Sequence, residues 1–136
     1  MKLLIADDSA SFRHLVKSLF PAATTQFVEC ADGGEAVLRY GQEQPDWVLM
    51  DLEMKGMDGL AATVTIRTNY PLARILILTQ YDDSDLRATA QKAGACAYIL
   101  KDNLAELRQL IAESSSPNVF NPRPVEAASP SERNLL

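Results

Sequence analysis

Apolar residues in this chain fall into short unbroken runs, separated by stretches in which they recur every three or four positions, and the two patterns alternate along most of its length. The first run, Leu3 to Ala6, stops at Asp7-Asp8-Ser9, after which Phe12, Leu15, Val16 and Leu19 follow at helical spacing. This predicts a strand, an acidic loop and an amphipathic helix, with Ser9 as its N-cap and Pro21 closing it. Phe27, Val28 and Cys30 predict a second, edge strand. Behind it, Asp32-Gly33-Gly34-Glu35 has the spacing of a capping box ahead of a helix carrying Ala36, Val37 and Tyr40. Trp47 to Met50 runs straight into Asp51, as a strand buried on both faces does when it delivers one carboxylate to its rim. The loop Met54 to Gly59 leads to Asp58 as the cap of a third helix, with Leu60, Val64 and Ile66 facing inward. Ile75 to Leu78 is a second run without polar interruption and ends in Thr79. The next predicted helix, Asp83 to Lys92, has Leu86 as its one large apolar residue and Gly94 as its stop, so it is weakly anchored. Cys96 to Leu100 is the last predicted strand and ends in Lys101. Asn103 then caps a helix with Leu104, Leu107 and Ile111 on one face, and Leu110 beside that stripe.

Strands and helices in strict alternation predict an α/β fold: a doubly wound, five-stranded parallel sheet with helices on both faces, in the flavodoxin-like order 2-1-3-4-5. All strand ends then share one rim, and the first and third strands are neighbours at the switch point, where Asp7, Asp8 and Asp51 meet. That order puts Cys30 and Cys96 near opposite edges, which excludes a disulfide between them. From Ser114 the composition changes to serines and prolines with few large apolar residues. The expected division is a domain over residues 1–113 and a flexible tail or linker over residues 114–136.

Composition narrows the class of protein. A chain of 136 residues, 47% hydrophobic, fits one domain with a sizeable core. A net charge of -5 argues against a broad basic surface for nucleic acid. No apolar run approaches the roughly 20 residues that span a bilayer, and the early aspartates do not suit a signal peptide. The two cysteines have no metal-ligand spacing, so a reducing cytoplasm is the expected setting. His14, the single histidine, falls off the apolar stripe of its helix and is expected to be exposed and inert.

The predicted rim holds three carboxylates, one hydroxyl and one ammonium. Acids so close raise one another's pKa unless a cation joins them. A hard cation is expected, and Mg2+, which binds through one or two carboxylates plus phosphate oxygens and keeps some of its waters, suits the set best. A carboxylate beside Mg2+ and a lysine is a workable nucleophile toward phosphorus, giving an aspartyl phosphate, with Thr79 and Lys101 stabilising the phosphoryl oxygens.

Asp7-Asp8 after the first strand, Asp51-Leu52-Glu53-Met54 with Met57-Asp58-Gly59 after the third, Leu78-Thr79 after the fourth and Tyr98-Ile99-Leu100-Lys101 in the fifth together resemble the receiver domain of bacterial response regulators. The resemblance covers residues 1–113. It implies a phosphoacceptor of two-component signal transduction, which catalyses its own phosphorylation at Asp51 from the phosphohistidine of a sensor histidine kinase or phosphotransfer protein, and its own dephosphorylation. It further implies that Asp8, Asp51 and the backbone carbonyl of Glu53 ligate Mg2+, that Asp7 acts mainly through water, and that Thr79 and Lys101 bind the phosphoryl group. Thr79 and Tyr98 are the implied switch residues, Tyr98 rotating inward. The chain departs from the family pattern at Lys55, where proline is usual, and at Gln80, where a small residue often follows the threonine. Asp102-Asn103 after Lys101, together with Leu78-Thr79-Gln80-Tyr81-Asp82-Asp83, resembles the subgroup attached to LuxR-type helix-turn-helix output domains. DNA would be reached only through such a domain, which these residues do not contain. Ser129 to Leu136 faintly resembles its opening, so a chain cut at its linker stays open, as does a homodimer through the last helix at Leu110. The rival reading is a pseudo-receiver used purely as an interaction scaffold, against which the intact Asp, Thr and Lys set argues. A phosphohydrolase with its aspartyl nucleophile directly after the first strand would need acids two residues apart, not the adjacent Asp7 and Asp8.

Overall fold

A computed structural model describes residues 1–113, and the expected tail, residues 114–136, lies outside the described residues. The elements are β1 (Lys2–Ala6), α1 (Ala10–Lys17), β2 (Gln26–Cys30), α2 (Gly33–Glu43), β3 (Trp47–Met50), α3 (Gly59–Asn69), β4 (Ile75–Thr79), α4 (Ser84–Ala93), β5 (Ala97–Leu100) and α5 (Leu104–Glu113). The sheet order is β2-β1-β3-β4-β5 with every pairing parallel, so each connection is a helical crossover. Cys30 ends β2 at one edge and Cys96 precedes β5 at the other, and both thiols are free.

Period-two alternation divides the core. Leu3 and Ile5 of β1, with Trp47 and Leu49 of β3, face α1 and α5, which contribute Val16, Leu107, Leu110 and Ile111. Leu4, Ala6, Val48 and Met50 face the other layer, built on Ala36 and Tyr40 of α2, Ala62 and Ile66 of α3 and Ala90 of α4. Every residue of β3 and β4 is buried, as uninterrupted apolar runs require. Burying each large side chain there stabilises the fold by roughly 1.5–3 kcal/mol. No helix among the described residues is long and apolar enough to cross a membrane.

Most predicted caps form. Ser9 accepts from the Phe12 amide, Asp58 from Ala61 and Asp83 from Asp85 and Leu86. Asp32 accepts from Glu35, but the returning arm of the box goes to the Ala31 amide, one residue earlier than expected. At Asn103 it is the backbone carbonyl, not the side chain, that takes the Glu106 amide.

Three helical faces differ from expectation. Helix α1 ends at Lys17, well before Pro21, and Leu15 is 48% exposed, because the inward line runs through Phe12 and Val16 and then, past the helix, Leu19 and Phe20. In α3, Ile66 is buried as expected, but Val64 is 48% exposed and Leu60 only half-buried, and Gly59, Ala62 and Thr63 complete the inward face. These smaller residues let the helix approach the sheet closely, and the buried Thr63 hydroxyl donates to the Gly59 carbonyl at 2.8 Å, so it is not left unpaired. Leu110 is 2% exposed and belongs to the core, which removes the sequence argument for a dimer contact at that residue.

Helix α4 is thinly seated, as predicted. Ala90 is its one buried residue, Leu86 is half-buried, and Gly94 closes it at φ 106°. It is also tied to β5 by a polar side chain: Arg87 lies 4.6 Å over the ring of Tyr98 and donates to the Tyr98 carbonyl at 3.3 Å.

Candidate functional site

The ends of β1, β3 and β5 bring the predicted acids and the lysine together. The Asp51 amide donates to the Ala6 carbonyl at 2.9 Å, extending the β1–β3 ladder and setting Asp51 beside Asp7. The Lys101 amide donates to the Thr79 carbonyl at 2.7 Å, which continues the β4–β5 ladder in the same way. Asp7 is 2% and Asp51 7% exposed, whereas Asp8 is exposed. Each of the three offers one carboxylate oxygen, and these oxygens lie within 4.8 Å of one another.

Lys101 reaches into this cluster. Its Nζ is 2.7 Å from Asp7 Oδ2 and 3.5 Å from Asp51 Oδ2, and it lies 4.4 Å over the ring of Phe12. Asp7 is further held by the Ser9 amide, which donates to its Oδ1 at 2.8 Å, while Arg13 donates to its carbonyl at 2.6 Å. The buried Asp51 is held less tightly. Burial first, and the neighbouring Asp7 charge second, push its pKa from an ordinary 3.8 up to about 6, against the opposing pull of Lys101 and the Leu52 amide. A carboxylate so placed favours any added positive charge.

The cluster opens into a cavity of about 700 Å³, lined on its acidic side by Asp7, Asp8 and Asp51 and on its other walls by residues that include Glu53, Lys55, Gln80, Tyr81 and Lys101. Thr79 is not among the lining residues: it is fully buried, and its Oγ1 accepts from the Tyr81 amide at 3.2 Å. Gln80 and Tyr81, the next two residues, line the cavity. Tyr98 is 4% exposed, and its hydroxyl donates to the Tyr81 carbonyl at 2.5 Å, so it stands inward in this structure. Glu53 is exposed, and its carboxylate accepts from the Tyr81 hydroxyl at 2.7 Å, a bridge along the cavity wall. His14 is exposed, as expected.

The sequence reading missed several residues that shape the site. Tyr81 connects three of the predicted residues: its amide meets Thr79, its carbonyl Tyr98 and its hydroxyl Glu53. An aromatic in a loop gives no periodic signal, so nothing in the pattern marked it. The ring of Phe12, which its spacing places on the apolar stripe of α1, also carries the Lys101 ammonium. Gly59, the last residue of the Met57-Asp58-Gly59 motif, has a steric task its pattern does not reveal: a Cβ there would collide with the Asp51 carbonyl oxygen, so only glycine lets α3 start against the backbone of Asp51. Gly33 does the same for the loop after Asp51, where a Cβ would meet the Met57 carbonyl oxygen at 2.3 Å.

The donor set fits a hard divalent cation: three carboxylates from two adjacent strand ends, with the buried Asp51 only partly offset by Lys101. Compared with known proteins, residues 3–112 match the profile of the response regulator receiver domain. The chain is 40% identical over 105 residues to the oxygen regulatory protein NreC of Staphylococcus haemolyticus, covering 75% of this chain and 48% of that protein. It is 39% identical over 108 residues to the uncharacterized transcriptional regulatory protein YhcZ of Bacillus subtilis, covering 78% and 50%. It thus spans about half the length of these relatives. Among solved structures, a LuxR-family two-component response regulator from Aurantimonas superposes with a TM-score of 0.76 at 36% identity, covering 82% of each chain.

Proposed function

The chain belongs to the response regulator receiver domain family, and from that premise we propose that phosphoryl transfer to Asp51 is the event that switches it. The family works in two-component signal transduction, so a sensor histidine kinase or phosphotransfer protein is the donor. The observation that carries the reading is the convergence of Asp7, Asp8, Asp51 and Lys101 on one open cavity, with Asp51 the acid whose own charge is poorly met.

Asp51 acts as the nucleophile. One of its carboxylate oxygens attacks the phosphorus of a phosphohistidine, a P–O bond forms as the P–N bond breaks, and the imidazole nitrogen keeps the electron pair and takes a proton. Asp8, Asp51 and the Glu53 carbonyl would hold Mg2+, with Asp7 in support, and the ion would supply charge stabilisation to the phosphoryl oxygens and offset the repulsion of the acids. Lys101, already 3.5 Å from Asp51, neutralises one of those oxygens. Thr79 accepts from the Tyr81 amide yet keeps its own proton free to donate, so a small shift turns it toward the phosphoryl group. Tyr98 reads that shift through Tyr81, and the thinly seated α4 is the element whose position changes. A differential stabilisation of about 5.5 kcal/mol takes a two-state element from 1% to 99% active. Control of transcription is the proposed output, through a LuxR-type DNA-binding domain, as the name of YhcZ and the class of the Aurantimonas regulator suggest.

The test is incubation of the chain with Mg2+ and an acyl phosphate, followed by intact mass measurement. One added phosphoryl group, labile to base and absent from Asp51→Asn, is expected. Equal labelling of the two proteins refutes the assignment, and no labelling of the wild type favours a scaffold instead.

A further inference from the structure

Lys55 stands where the family pattern has proline, and the reaction above leaves it without a role. It lines the same cavity as Asp51, Gln80 and Tyr81. The other cation lining that cavity, Lys101, is committed to Asp7 and Asp51 at 2.7 and 3.5 Å. The Lys55 side chain is exposed and makes no ion pair or hydrogen bond among the described residues. Its backbone is nonetheless fixed. Lys55 bridges to Asp32, the Gly33 amide donates to Met57 at 3.0 Å and the Gly59 amide to Leu52 at 3.1 Å. The result is an uncommitted ammonium on a firmly held loop at the wall of the cavity.

Its surroundings make that charge consequential. Asp7, Asp8, Asp51, Glu53 and Asp58 all line the cavity, five carboxylates against two lysines, so even with a divalent cation bound an incoming anion meets a net negative wall. The more negative the donor, the more it gains from a cation that no carboxylate has already claimed. Resting on the reading of Asp51 as phosphoacceptor, we propose that Lys55 is a specificity-determining residue that favours phosphodonors carrying two negative charges, such as a small acyl phosphate, over singly charged ones. Lys55 acts on the donor's net charge during entry and takes no part in the bond changes at phosphorus. Proline at this position would leave the same loop without that charge.

The test compares second-order rate constants for phosphorylation at saturating Mg2+ with two donors: acetyl phosphate, a dianion near neutral pH, and phosphoramidate, which carries one net negative charge. For Lys55→Gln the acetyl phosphate rate should fall about three- to tenfold at low salt, the size of one screened charge contact, and the phosphoramidate rate by less than about twofold. Lys55→Arg should keep the wild-type ratio, and added salt should shrink the gap between wild type and Lys55→Gln. Unchanged rates, or equal losses with both donors, overturn the inference, the second because it marks a structural role for the loop. Wild type that accepts phosphate from neither donor defeats the phosphoacceptor reading itself, which separates the two failures.

Discussion

Asp51 has been put where its own charge is unwelcome, and that has a measurable sign. Its folded pKa, about 6, lies above the ordinary 3.8, so the folded chain binds this proton more tightly than the unfolded chain does. The contribution is fully favourable below 3.8 and is lost as pH rises through about 6. A rise of this size corresponds to about 3 kcal/mol, which solvent in the open cavity reduces to ~1–2 kcal/mol. With a chelator present, the stability of the wild type should therefore fall between pH 4.5 and pH 7 relative to Asp51→Asn, as thermal melts of the two proteins will show. Parallel pH profiles would contradict the electrostatic account. Asp7, by contrast, is satisfied from both oxygens, by the Ser9 amide and by Lys101, so it positions more than it reacts.

Helix α3 owes its placement to what it lacks. Gly59 allows the first turn to rest on the carbonyl of Asp51, so the helix start and the phosphoacceptor form one rigid piece. Gly59→Ala should cost at least about 2 kcal/mol in denaturant unfolding, because the clash is with backbone that has nowhere to go. It should also slow phosphorylation, since Asp51 moves with that backbone, and a variant with unchanged midpoint would show that the loop yields freely. Helix α4 is the opposite case. With Ala90 as its one buried residue and Arg87 stacked on Tyr98, it is held by a contact that changes if Tyr98 moves.

Across the whole molecule, five parallel strands wrapped on both faces give a core stable enough to carry a repulsive rim. Leu110 contributes to that core from α5. Leu110→Ala should destabilise the domain by roughly 2–5 kcal/mol, a large part of the 5–15 kcal/mol typical of a domain, without altering the association state of the folded fraction. Sedimentation of the two proteins at matched concentration checks this, and a dimer lost with Leu110 would return the residue to an interface.

Much of this was legible in order along the chain. The apolar runs at Leu3–Ala6, Trp47–Met50 and Ile75–Leu78 announce buried parallel strands, because a strand covered on both faces has no polar positions to spare. Parallel strands force crossovers, and crossovers put every strand end on one rim, so the meeting of Asp7, Asp8, Asp51 and Lys101 follows from topology alone. What only the tertiary structure decided is which neighbour each of these groups actually faces. Helical spacing constrains a face only to within a residue or two, so it groups the exposed Leu15 with the buried Val16 and favours Val64 where Thr63 is the residue that faces inward. No local pattern records a hydrogen bond such as the one between Tyr81 and Glu53, 28 residues apart, or the glycine-sized gap above Asp51. Those depend on distances between segments remote in sequence, which are set only when the layers pack.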